Sequence, residues 1–201
     1  YEEMAEKART SFLDKFWNRQ NNCLLDVVDA GLGDASIRPN QIIAASLDFA
    51  ILDNVKAELV LETVSRQLVT PFGLRTLSPQ DPRYVGRYSG DRWHRDNAYH
   101  NGTVWPWLLG PFVTALLKLR SYDPHWRSIA FENFLKPLFT VELHKAGLGS
   151  ISEIFDGDAP HESKGCIAQA WSVDEPLRAY FEDVLLKRPP YEQETLKYNI
   201  A

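Results

Sequence analysis

The chain has 201 residues, with 22 Lys plus Arg against 27 Asp plus Glu, five His and 44% hydrophobic residues. That length suits one domain with an ample core, and the net charge of −5 argues against a nucleic-acid partner, whose affinity comes mainly from phosphate neutralisation. Two cysteines, Cys23 and Cys166, are too few for a disulfide framework and lack metal-ligand spacing, and no apolar run approaches the ~20 residues needed to cross a membrane. Tyr1-Glu2-Glu3 offers no basic start or apolar core of a signal peptide. It lacks an initiator Met, as expected of a sequence that begins inside a longer chain. Aromatics make up 12%, with six Trp, and several sit outside helical patterns, which points toward a ligand.

Hydrophobic periodicity predicts helix almost throughout. Residues 2–18 place Met4, Ala5, Ala8, Phe12 and Phe16 on one face. Asn40 to Asp53 forms a second helix, with Pro39 near the N1 position that proline favours. A third runs over 55–69, with Val55, Leu59, Val64 and Leu68 at helical spacing. The fourth, 103–121, is apolar nearly all round and reads as a buried inner helix. A fifth spans 124–144, where Pro137 bends or breaks it, and a sixth spans 167–186, with Pro176 a similar interruption. Short extended pieces are expected at Cys23–Val28 and Gly149–Phe155, and a tail at 189–201 after a domain of 1–188. The fold class this implies is all-α.

Two long connections, 70–101 and 145–166, show little periodicity. Loops beyond ~12–15 residues are usually functional or disordered, and these are rich in Trp, Tyr, His, Asp and Arg. The stretch from Asp91 to Trp107 combines planar aromatics with hydrogen-bonding groups, a surface that suits sugars: ring faces for C–H bonds, and Asn, Asp, His and Arg for hydroxyls. The plain alternative is a packed loop with an ion-pair network. His94 and His100 have an unspecific spacing for zinc, and the sequon Asn101-Gly102-Thr103 carries little weight without a secretory signal. In the second cluster, Ser152-Glu153-Ile154-Phe155-Asp156-Gly157-Asp158, a calcium loop would need acids at other spacings. A carboxylate beside Ile154 and Phe155 suits general acid–base work, with desolvation expected to raise its pKa toward the working range. Against that, Asp156-Gly157-Asp158 also reads as a turn with Glu153 facing water. Cys166 with His161 as base lacks a thiolate-stabilising signature.

Four blocks together resemble the C-terminal part of the bacterial and archaeal glycogen-debranching enzymes, the amylo-α-1,6-glucosidase family. They are Arg38-Pro39-Asn40-Gln41, Tyr99-His100-Asn101-Gly102-Thr103-Val104-Trp105-Pro106-Trp107, Ser152-Glu153-Ile154-Phe155-Asp156-Gly157 and Gly165-Cys166-Ile167-Ala168-Gln169-Ala170-Trp171-Ser172-Val173. The resemblance implies an (α/α)6 toroid, the six-hairpin glycosidase type, of which six helices are about half. It implies inverting hydrolysis of α-1,6-linked glucose at glycogen branch points, in glycogen breakdown in the cytoplasm. Glu153 takes the general-base position. Trp105, Trp107 and Trp171 are candidates for sugar stacking, and Arg38, Asn40, Gln41, His100, Asn101 and Gln169 for hydroxyl contacts. The family's general acid is expected in a T-W-M-D segment followed by V-E-I-N-A-L-W-Y-N, and neither is present. Asp91 and Asp96 remain as fallback acids. Asp174 and Pro176 depart from the family's Ala-rich run and are expected to bend the last helix.

The implied partners are an α-glucan, glycogen or limit dextrin, and either the missing N-terminal half of the toroid or a self-dimer covering exposed inner helices. Neither a nucleic acid nor a membrane is expected. No metal or organic cofactor is expected, since two carboxylates suffice. The 201 residues alone are expected to be inactive. Two rivals stay open: a non-catalytic glucan- or partner-binding helical module, and another inverting (α/α)6 glycosidase of the trehalase or glucoamylase type.

Overall fold

The computed structural model describes residues 1–29 and 32–187, so the expected tail at 189–201 lies outside the described residues. The chain opens with α1, Glu2–Phe16, whose acidic first turn and Lys15 in its last turn oppose the helix dipole favourably. No residue of α1 is buried; Phe12 and Phe16 stack on each other at 4.8 Å and lean on the core. Two small hairpins follow, β1 (Trp17–Asn18) with β2 (Cys23–Leu24), and β3 (Val27–Asp29) with β4 (Leu32–Asp34).

The expected helix from Asn40 to Asp53 is cut short: α2 is Asn40–Ser46. Leu47 turns extended, and Lys118 Nζ from a later helix binds the Ser46 and Leu47 carbonyls. Asp53 is taken instead as the cap of α3, Asn54–Gln67, accepting from Lys56 N–H at 2.8 Å. The expected buried inner helix is α5, Leu109–Leu119, which starts only after an extended Val104–Trp105 and a turn of 3₁₀ helix at Pro106–Leu108. Seven of its eleven residues are buried, Phe112, Val113 and Leu117 among them, each large apolar side chain stabilising by about 1.5–3 kcal/mol. It packs against α2 and α3, which form the centre of the core.

Proline interrupts the last two helices as expected, by register change rather than by a break. α6 (Pro124–Ala130) passes through a π-helical segment, Phe131–Leu135, into α7 (Lys136–Thr140). Pro137 has no N–H to donate, and Lys136 N–H just before it reaches back five residues to Phe131 C=O. Pro176 lies inside the last α-helix, the nine-residue Ala170–Arg178, and a second π segment follows at Ala179–Val184. Among the described residues no helix is long and apolar enough to cross a membrane.

The all-α expectation needs correction. A five-stranded antiparallel sheet runs in the order β5 (Val69–Thr70), β6 (Gly73–Arg75), β7 (Val104–Trp105), β8 (Ile154–Phe155), β9 (Ser163–Lys164). Its register sets Leu74 opposite Trp105, Val104 opposite Phe155 and Ile154 opposite Lys164. Strands of two or three residues are too short to show alternation, and their pairing is long-range. Residues 70–101 are not structureless either, since they contain α4, Arg92–His100. Only Ala98 of α4 is buried, so it has no apolar stripe to read. Its ends are held by side chains: Asp91 accepts from His94 N–H at 3.0 Å, while Asn101 Nδ2 binds Asn97 C=O at 2.9 Å and Arg38 binds His100 C=O. We label the closing helix, Ala170–Arg178, α8.

Candidate active site

The sheet brings the two polar connections face to face. Glu153 stands immediately before β8 and extends the β8–β9 ladder, its N–H donating to Cys166 C=O at 2.9 Å. The Cys166 N–H returns to Glu153 Oε2 at 3.0 Å, and the Tyr99 hydroxyl, from the end of α4, donates to Oε1 at 2.6 Å. Gly165 makes the turn into this contact in the left-handed region, φ +68°. Burial pushes the half-buried Glu153 carboxyl up, as expected from sequence. The donors from Tyr99, Cys166 and Gln169 together outweigh it and hold the group below the usual Glu range. The expected rise is therefore reversed: Glu153 is an ionised acceptor at neutral pH.

Beside it runs a strip of rings. His100 meets Tyr99 edge-on at 5.0 Å, and Tyr99 meets Trp105 edge-on at 4.8 Å. Trp105 abuts Trp171 at 5.7 Å, and Trp171 stacks on Trp107 at 5.7 Å and 25°. Trp171 is 45% exposed while Trp105 is 7% exposed, so Trp171 carries the open face and Trp105 backs it. Gln169 begins α8 just before Trp171, its own side chain accepting from Ala170 N–H. Glu153, His100, Trp105, Trp107, Gln169 and Trp171 are thus gathered in one region.

The remaining predicted residues serve the scaffold around it. Arg38 spends its donors on Thr76 C=O (3.1 Å), His100 C=O and Asn101 Oδ1 (2.8 Å), with Asp26 at 3.6 Å. Asn40 binds Asp26 at 2.7 Å. Gln41 is buried, its Nε2 donating to Arg38 C=O, and its Oε1 has no partner among the described residues. Asp91 caps α4 and is exposed; the His94 backbone amide, then the His94 ring, hold its carboxyl down. Asp96, also exposed, lies 3.5 Å from Arg92 one turn back. Asp91 is eight residues from Tyr99, about 12 Å along the helix axis.

The second acidic cluster divides by role. Asp156 is 2% exposed and ties the segment before α4 to β8, accepting from Tyr88 N–H at 2.8 Å and from Arg87 at 3.2 Å. Asp158 accepts from the Tyr84 hydroxyl at 3.0 Å. Among the described residues, no group of three or more His, Cys, Asp or Glu side chains is placed to hold a metal ion. A polar cavity of about 390 Å³, lined in part by Asn21, Ser36, Thr63, Arg66 and Asp81, contains none of the predicted site residues. Sequence reasoning missed Tyr99 and Gly165 as residues of the site, although both lie in its quoted blocks.

Helices arranged around loops that gather a carboxylate and an indole strip place the chain in the fold class of the six-hairpin toroids. Within it, the chain belongs to the amylo-alpha-1,6-glucosidase family, whose model matches residues 1–178. In structure it is similar to the neutral trehalase from Saccharomyces cerevisiae, with a TM-score of 0.60 and 12% identity over 99% of this chain and 32% of that one. At that identity the likeness shows the fold alone. The chain spans about a third of the trehalase's length.

Proposed function

We propose that this chain is the general-base side of an inverting glycosidase that removes α-1,6-linked glucose at the branch points of a glycogen-like glucan. One observation carries the reading: a carboxylate held ionised by converging donors, next to an aromatic face exposed at Trp171. Inversion needs such a base to take a proton from the attacking water. It also needs a protonated acid on the leaving oxygen, with ~6.5–9.5 Å between the carboxyl groups. The family supports the α-1,6 linkage, and the stacked Trp107–Trp171 pair supports a glucose platform. Arg38, Asn40, Gln41, His100, Asn101 and Gln169 are proposed to contact hydroxyls directly or to hold the residues that do.

A general acid must stay protonated at working pH, so its pKa must be raised. The carboxyls of this region whose ionisation is displaced, Asp91, Glu153 and Glu162, are all displaced downward. The acid is therefore proposed to come from another part of the toroid, with Asp91 and Asp96 as weaker candidates. That missing part would also cover apolar side chains such as Phe181 and Leu177, which are 48% and 39% exposed. The test is Glu153→Gln in the full-length enzyme. Turnover of a limit dextrin is expected to fall by at least about a thousandfold with glucan binding retained. Near-normal turnover would remove Glu153 from the role.

A further inference from the structure

Glu153 carries four lone-pair sites on two oxygens. The Cys166 amide takes one on Oε2, and the Tyr99 hydroxyl takes one on Oε1 at 2.6 Å. The Cys166 amide is backbone, fixed by the β8–β9 ladder, and would form with any residue there. Among the side-chain donors to Glu153, Tyr99 has the largest effect and a bond of 2.6 Å, and its own placement is determined from several directions. Its C=O accepts from Thr103 Oγ1 at 2.8 Å and Trp105 Nε1 at 3.4 Å, and its ring is held between Trp105, His100 and Tyr88. Resting on the reading of Glu153 as general base, we infer that Tyr99 is the positioning residue of the site. Its hydroxyl fixes one carboxylate oxygen and leaves the remaining lone pairs aimed at the attacking water.

Two consequences separate this from a packing role. Tyr99 cannot be the acid, because burial, then its bond to Glu153, push its phenol far above the working range, so it stays a donor throughout. Without it, burial of Glu153 is opposed by fewer donors, and the base loses its proton at higher pH. The other groups facing this pair are Tyr88 on the segment before α4, His100 on α4 and Cys166 after β9. Beyond Tyr88, Asp156 is already paired with Arg87, and beyond His100 lies the Arg38 guanidinium.

The experiment is the pH profile of kcat/KM for glucose release from a limit dextrin by the full-length enzyme, whose acidic limb reports the free enzyme's base. In Tyr99→Phe the acidic limb is expected to move up by about one to two pH units, the worth of one hydrogen bond to a charged group. The plateau is expected to fall about tenfold. An unmoved limb overturns the inference, whatever the plateau does. 3,5-Difluorotyrosine at position 99 keeps the ring and strengthens the donor, so it reads the contact even if Tyr99→Phe does not fold. There the limb is expected to move down, and an unmoved limb again overturns the inference. A limb that moves in His100→Gln and not in Tyr99→Phe assigns it to His100 and overturns the inference. Loss of turnover in Glu153→Gln with an unmoved limb in Tyr99→Phe removes Tyr99 alone. Near-normal turnover in Glu153→Gln removes the reading on which it rests.

Discussion

A methyl group at position 165 would collide with the Glu153 carboxylate around which the site is built. A Cβ on Gly165 falls well inside contact distance of Glu153 Oε2, and its φ of +68° disfavours any L side chain. The carboxylate is the free end of a flexible chain, so the fold can absorb the clash by moving it. That is inexpensive for stability, where the left-handed conformation itself costs about 1–2 kcal/mol. It is costly for chemistry, because a shift of about 1 Å in a catalytic group lowers rate on the order of a hundredfold. Gly165→Ala in the full-length enzyme is therefore expected to lose 10- to 100-fold in kcat, on the order of what misplacement costs, while glucan binding by calorimetry stays near wild type. A kcat within twofold of wild type would show that the Glu153 carboxylate has no need of its observed position.

At the scale of elements, the helix that carries Tyr99 depends on polar ends. With only Ala98 buried, α4 gains little from burial, and Asp91 at its start and Arg38 at its finish supply what burial does not. This separates the two roles open to Asp91. Asn caps as well as Asp but cannot give up a proton, so Asp91→Asn is expected to keep turnover and melting temperature close to wild type. Asp91→Ala, which loses the cap, is expected to melt about 2–4 °C lower. Abolished turnover in Asp91→Asn with an unchanged melting curve would instead make Asp91 the acid. The same polarity explains why α4 was illegible in sequence while α5 was plain: seven of eleven α5 residues are buried, and apolar spacing is what periodicity detects. The sheet was hidden for a different reason. Val104–Trp105 extends an apolar helical pattern in sequence, and only pairing with Leu74 and Phe155 makes it a strand. Glu153 and the tryptophans were legible because whole blocks of residues mark them. The Tyr99–Glu153 bond was not, because it spans 54 positions and depends on a sheet that no local pattern announces.

For the whole molecule, the question is whether 201 residues can do the chemistry that the Glu153 carboxylate suggests. The acids of the α4 and β8–β9 segments that flank the strip are each engaged by a partner. Asp91 caps α4, Asp96 faces Arg92, Asp156 is held by Arg87 and Tyr88 N–H, and Glu162 binds Lys164 at 2.9 Å. A base without a protonated partner can activate water but cannot help the leaving oxygen depart, and general acid assistance is typically worth 10²–10⁴-fold. The strip itself needs no acid, since stacking on Trp171 depends on an exposed ring face. Binding and turnover should therefore separate in this polypeptide. Expressed alone, it is expected to bind maltooligosaccharides in calorimetry and to release no glucose from a limit dextrin beyond the level of its own Glu153→Gln variant. Glucose release above that level would place a working acid among these 201 residues, and Asp96→Asn and Asp91→Asn would then identify which. Failure to bind as well would locate the glucan platform elsewhere in the toroid and leave Trp107 and Trp171 as packing residues.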